Sequence, residues 1–186
     1  MKGRQVAVRY AQSLFEFAQE RKELDAVQKD IFLLQQVCSD SKEFRLLLKS
    51  PVVQTEKKEK IFRDIFGQKV IPTTLAFLLL LVRKRRESYI AAIADEFVDQ
   101  YQDYSNILPV RVTTASAMSE GIRNEILDIM KNYTKANVLL TGSVDPEVIG
   151  GFVLSWKDKQ YDATLSHQIE RLKRGVARVN LYVKEI

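Results

Sequence analysis

Val144-Asp145-Pro146-Glu147-Val148-Ile149-Gly150-Gly151-Phe152 is the stretch from which the fold can be read. The Asp145 carboxylate can accept a backbone N–H at the head of a turn, and Pro146 follows where its missing donor costs nothing. One short turn ends at Gly150-Gly151, because only glycine takes left-handed or crowded backbone geometry without penalty. Phe152, Val153, Leu154 and Trp156 then read as a strand. An apolar run, Val138 to Leu140, precedes the stretch, and a polar turn, Lys157-Asp158-Lys159, follows it. The order is strand, capped turn, glycine pair, strand, hairpin, strand.

Working outward, Leu108 to Thr114 alternates. Leu108, Val110, Val112 and Thr114 fall on one side, Arg111 and Thr113 on the other, and Pro109 places the start of this strand at a sheet edge. Ser119 can cap a helix carrying Ile122, Ile126, Ile129 and Tyr133. Leu165, Ile169, Leu172 and Val176 share a face of the closing helix. Residues 106–186 therefore read as a small α/β domain with helices on one face of its sheet. It joins the preceding part through a short hinge near Ser105-Asn106.

Residues 1–105 carry a different periodicity. Ala7, Ala11, Leu14, Phe15 and Ala18 recur at helical spacing between about Gln5 and Arg21, and Val6, Tyr10 and Phe17 widen that stripe. A second helix, from about Leu24 to Val37, has the narrow seam Leu24, Val27, Ile31, Leu34, Cys38. A short apolar segment, Phe44 to Leu48, stops before Ser50-Pro51. Thr55 can cap a fourth helix with Ile61, Phe62, Ile65 and Phe66 inward and Gly67 at its end. Pro72 opens a fifth, apolar on every side from Leu75 to Val82, and Ser88 can cap a sixth with Ile90, Ile93, Phe97 and Tyr101. The fold class is mainly α: an N-terminal six-helix bundle followed by the small α/β domain, with short connections that favour antiparallel neighbours.

The chain has 186 residues, 46% apolar and 28% charged, enough for one or two packed domains. Its one cysteine, Cys38, falls on an apolar stripe and reads as a buried reduced thiol. Its one histidine, His167, has no His or Cys beside it, which argues against zinc. No phosphate loop and no nucleophile elbow is present. Gly150-Gly151 leads into a strand rather than a helix, and Asp158 and Asp162 flank a hairpin. No enzyme activity and no cofactor is expected. The net charge of +5 fits a solvated surface, an acidic partner, an anionic membrane surface or nucleic acid. The N-terminus, Met1-Lys2-Gly3-Arg4-Gln5, lacks signal-peptide and transit-peptide features.

The Val-Asp-Pro…Ile-Gly-Gly-Phe stretch, with its hairpin, Asp162 and final helix, resembles the C-terminal signature of the delta subunit of F-type ATP synthase. That is the family of the mitochondrial oligomycin-sensitivity-conferring protein. Arg9-Tyr10-Ala11-Gln12-Ser13-Leu14-Phe15-Glu16 resembles its opening helix, so the likeness covers nearly the whole chain. The resemblance implies a non-catalytic peripheral-stalk subunit that links the catalytic head to the membrane-anchored b subunits and stops the head co-rotating. It implies that the bundle holds the N-terminal helix of an alpha subunit on its first and fifth helices, through Val8, Ala11, Gln12, Phe15, Phe77, Leu78 and Leu81. It implies that the second domain meets the C-terminal ends of the b subunits, with Ile149, Gly150, Gly151, Phe152 and the last helix as candidate contacts, although the glycines are more simply explained by backbone geometry alone. The expected location is the cytoplasmic face of a bacterial plasma membrane, peripheral through the complex, ahead of a thylakoid or mitochondrial membrane. The basic run Arg83-Lys84-Arg85-Arg86 can complement a helix C-terminus. It also keeps open a rival reading, a nucleic-acid-binding adaptor whose affinity would fall steeply with salt.

Overall fold

A computed structural model describes residues 2–134 and 136–179, with side chains for 3–134 and 136–173. The described chain is mainly helical, with eight α-helices and a four-stranded sheet. It divides into two units, Met1–Tyr104 and Ser105–Ile186.

The first unit contains α1 (Lys2–Glu20), α2 (Leu24–Asp40), α3 (Lys42–Lys49), α4 (Thr55–Phe66) and α5 (Pro72–Arg83). A single 3-10 turn (Glu87–Tyr89) then leads into α6 (Ile90–Tyr104). Ala7, Ala11 and Ala18 are fully buried, and their small side chains let α1 lie close against α6. Phe44, Phe62 and Phe66 meet at ring-centroid distances of 5.6 to 5.8 Å, at angles between tilted and edge-on, the arrangement that ring quadrupoles favour.

Local signals set the helix ends. Ser41 accepts the Phe44 N–H at 3.0 Å and starts α3 two residues before the apolar segment that marks it in the sequence. Pro72 stands in the first turn of α5, and the buried Asp30 carboxylate accepts the Ile71 N–H at 2.9 Å. Two expected caps are absent. Thr55 is already helical, the capping position is Gln54, and it makes no side-chain cap bond. Ser88 lies inside the 3-10 turn, two residues ahead of α6. Lys58, almost fully buried, donates to the Ser50 carbonyl at 2.7 Å and to Glu87 Oε1, tying the α3–α4 loop to that turn.

The second unit contains β1 (Ile107–Thr114), α7 (Glu120–Tyr133), β2 (Asn137–Val144), β3 (Phe152–Trp156), β4 (Lys159–Asp162) and α8 (Leu165–Val179). The strand order is β2-β1-β3-β4, with β1 and β2 parallel and the other pairs antiparallel. The alternation in β1 buries Leu108, Val110, Val112 and Thr114, and Val110 and Val112 share a core with Ile126 and Met130 of α7. Ser119 caps α7 by accepting the Ile122 N–H.

β1 is an inner strand of the sheet, yet its start lies at an edge, as Pro109 indicates. Proline is accommodated because β3 pairs only with Arg111 to Thr114, which leaves Pro109 with a strand on one side only. After β2, Asp145 accepts the Glu147 N–H on its side chain at 3.0 Å and the Val148 N–H on its carbonyl, closing the turn around Pro146. The side chain of Val176 lies outside the described residues.

Candidate partner-binding faces

On α1, Tyr10, Ser13, Leu14 and Phe17 follow an i, i+3, i+4, i+7 spacing. On α5, Thr73, Ala76, Phe77, Leu80 and Arg83 do the same. These two rows wall an apolar groove of about 540 Å³. Phe17 and Leu80 are each 43% exposed along it, and the Tyr10 and Phe77 rings meet edge-on at 6.5 Å across it.

The two helices run in opposite senses. Thr73, at the start of α5, donates its hydroxyl to Glu23 just beyond the end of α1 at 2.7 Å. Gly3, at the start of α1, abuts the ring of Tyr89 just beyond α5. Arg83 closes one end of the groove and is held by a two-pronged hydrogen bond to Glu59, at 2.8 and 3.2 Å, which draws the Glu59 carboxyl below its ordinary pKa. The Arg21 guanidinium lies 4.6 Å over the Phe17 ring. The polar side chains Ser13, Thr73 and Arg83 of the wall are already engaged, with the Arg9 carbonyl, Glu23 and Glu59, and the rest of the wall is mainly apolar, so the groove can bind an apolar surface.

The second unit presents a different face. Leu165, Ile169 and Leu172 stand at i, i+4 and i+7 on α8 and are 48%, 51% and 69% exposed. Ile149, before the glycine pair, is 79% exposed. Gly150 and Gly151 take φ of 144° and 80°. A Cβ on Gly151 would stand 2.3 Å from the Ala163 carbonyl oxygen. That close approach lets the Gly150 and Phe152 carbonyls accept the Leu165 and Ala163 N–H groups at the head of α8. Asp162 accepts the Thr164 N–H at 2.9 Å, and Thr164 caps α8 by accepting the His167 N–H. The Asp162 carboxyl is held below its ordinary pKa, first by that backbone hydrogen bond and then by one from the Thr164 hydroxyl.

Comparison with known proteins decides the family. The model of the ATP synthase delta (OSCP) subunit family matches residues 6–176. The chain belongs to that family. It is 35% identical over 173 residues to ATP synthase subunit delta of Cytophaga hutchinsonii, covering 93% of this chain and 94% of that one. It is 32% identical over 171 residues to the subunit delta of Desulforudis audaxviator, covering 92% and 94%. Among solved structures, a chain of the Toxoplasma gondii mitochondrial ATP synthase hexamer shares the fold. Its TM-score is 0.72 at 23% identity, over 92% of this chain and 97% of that one.

Within this delta-family chain, the contact residues expected from sequence scatter. Phe77 lines the groove. Ala11, Leu78 and Leu81 do not reach it, because all three are buried in the unit's own core. Phe15 turns toward α6 and packs against Phe97 and Tyr104 at 6.0 and 5.4 Å. Val8 and Gln12 line a separate shallow depression with Arg4, Gln5 and Arg9. In the second unit Ile149 is open to solvent, Phe152 belongs to the core, and Gly150-Gly151 serve the approach to α8. The groove residues that the sequence reading missed are Ser13, Thr73, Ala76 and Leu80. Tyr10 and Phe17 show in the sequence only as a widening of the core stripe.

Proposed function

We propose that this chain is the peripheral-stalk subunit of a proton-translocating rotary F-type ATP synthase and has no catalytic role of its own. It ties the catalytic head to the membrane-anchored b subunits so that the head does not turn with the central shaft. The observation that carries this reading is the α1–α5 groove, whose paired rows match the apolar stripe of an amphipathic helix. Its occupant in this reading is the N-terminal helix of an alpha subunit. The apolar row of α8 with Ile149 supports a second attachment, to the C-terminal ends of the b subunits. Two attachments on one chain raise the hold of each through effective concentration. No described helix is long and apolar enough to cross a membrane, which supports association through the complex. The similarity to bacterial delta subunits supports the cytoplasmic face of a bacterial plasma membrane.

The test is calorimetric titration of the full chain with a synthetic alpha-subunit N-terminal helix. Phe77→Asp sets a charge on the groove wall and should weaken binding by roughly 2–4 kcal/mol, since wall burial is forfeited and a carboxylate desolvated. Phe77 also packs against the core and the Tyr10 ring, so the titration is run at a temperature where circular dichroism shows the variant fully folded. Unaltered peptide binding by this variant would overturn the groove assignment.

A further inference from the structure

A second cavity, of about 530 Å³, opens where the α3–α4 loop, the first turn of α4 and the 3-10 turn meet. It shares no lining residue with the α1–α5 groove. The chain leaves two features of its wall incomplete. The first is the head of α4. Gln54 holds the capping position without a side-chain bond, so the N–H groups of Thr55, Glu56 and Lys57 lack the partners that the rest of the helix has. The second is Glu87, which lines the cavity and is only 9% exposed. Its Oε1 takes the Lys58 ammonium, but its buried Oε2 has no hydrogen-bond partner among the described residues. Buried acceptors are as a rule paired, and leaving one without a donor destabilises the fold.

The two features ask for opposite things. Orphan N–H groups at a helix head, with the helix dipole behind them, favour an anion. Lys49 and Arg85, both exposed on the wall, add positive charge. Glu56 opposes them, while Lys58 and Glu87 cancel each other. Oε2 of Glu87, by contrast, needs a group that donates. An anion suited to both must carry a proton of its own. Sulfate has none near neutrality, and neither has a phosphomonoester above its second pKa of about 6. Inorganic phosphate keeps an O–H in both of the forms it takes near neutral pH. We propose that this cavity binds inorganic phosphate, with its bare oxygens at the head of α4 and its O–H donated to Glu87 Oε2. Glu87 is the residue that selects, because a carboxylate repels an oxyanion that brings no proton.

The test titrates inorganic phosphate, sulfate and phenyl phosphate into the full chain at about pH 8 and constant ionic strength, following backbone amide signals by NMR. Phosphate should shift the amides of Thr55, Glu56 and Glu87 saturably. Sulfate should bind at least about tenfold more weakly, since it meets Glu87 without a proton. Phenyl phosphate, dianionic at this pH, should behave as sulfate does. Lys49→Gln with Arg85→Gln removes charge from exposed wall positions and should weaken phosphate roughly three- to tenfold. In Glu87→Gln, Lys58 keeps the side-chain oxygen and the amide NH2 takes the place of Oε2. That group donates, so the preference should vanish as sulfate rises to match phosphate. The wild-type comparison decides the matter whether or not that variant folds. If phosphate and sulfate bind the wild type equally, Glu87 does not choose the ligand and the inference is wrong. It is wrong too if phosphate moves no amide at the head of α4. Phenyl phosphate binding more tightly than inorganic phosphate would assign the cavity to a phosphorylated partner instead and overturn the proposal.

Discussion

Phe62, Phe66 and Phe97 are wholly buried in the first unit, where aromatic rings, leucines and isoleucines fill the space between helices. The second unit has one buried phenylalanine, Phe152, at the rim of a smaller core made mostly of aliphatic side chains and Met130. What it lacks in side-chain volume it supplies in backbone geometry: a glycine at φ 80° pressed against a carbonyl, an Asp145 turn, and an Asp162–Thr164 cap. A helix packed on helices tolerates backbone adjustment but not an emptied core. A short strand leading into a helix head tolerates modest core changes but not a displaced chain. Each unit carries its own reporter, since the single cysteine, Cys38, is in the first and the single tryptophan, Trp156, is in the second.

The largest expected effect breaks the first unit. Phe62→Ala empties a ring-sized space between Phe44 and Phe66 and should destabilise by about 3–5 kcal/mol. Cys38 reads the outcome. Its thiol is buried, and burial pushes its pKa up to about 11, so iodoacetamide reaches it only when the unit opens. The alkylation rate should rise on the order of 10²–10³-fold, as the open population does. Trp156 emission should stay at its wild-type value. A tryptophan signal that shifts together with the cysteine reaction would mean that the two units do not differ in the way described.

Next in size is the reciprocal change. Gly151→Ala places a Cβ 2.3 Å from a backbone oxygen in a left-handed conformation, and backbone cannot swing aside as a side chain can. A loss of roughly 2–4 kcal/mol is expected, carried by Trp156 fluorescence during urea unfolding, with Cys38 protection unchanged. Gly142→Ala is the control. Its Cβ would meet only the end of Met118, at 3.4 Å, and Gly142 is on an exposed part of β2, so stability should change little. Equal losses from the two substitutions would remove the case for a backbone-held unit.

The same contrast governs how far the sequence could be read. Most of the second unit's signals are local and legible: the alternation in Leu108 to Thr114, the Ser119 cap and the Asp145-Pro146 turn act within a few residues, whereas the glycine pair reads as a turn but its approach to Ala163 at the head of α8 does not. The groove was not legible in detail. Periodicity says that α1 has an apolar stripe, but not which edge of it a neighbour covers. The alanine edge turned inward, and the Tyr10–Phe17 edge was left open. For α5, a run apolar on every side carries no phase at all, so Leu78 and Leu81 were indistinguishable from Ala76 and Leu80 until the surrounding helices were in place. Thr55 and Ser88 misled for a related reason. Gln54 takes the extended conformation that begins a helix without help from its side chain.

The smallest effect sharpens the comparison through pH. Asp162 is the acidic half of the device that starts α8, and its folded pKa lies below the ordinary value because the Thr164 N–H donates to the ionised form. A carboxyl depressed in this way adds stability above its unfolded pKa of about 3.9, and that stability is lost as pH falls through the folded value. Asp162→Asn keeps an acceptor for the Thr164 N–H and removes only the charge. The variant should therefore match wild type below the folded pKa, fall short of it near neutrality, and show a flatter acid limb in the Trp156 signal. The group is about a third exposed, so water screens the interaction and the difference should be smaller than for either substitution above. Cys38 protection should follow the wild-type pH profile throughout, since the hydrogen bond altered at Asp162 is internal to the second unit. If the acid limb steepens in the variant, the Thr164 hydrogen bond is not what holds the Asp162 pKa down, and the start of α8 owes its position to the glycine pair alone.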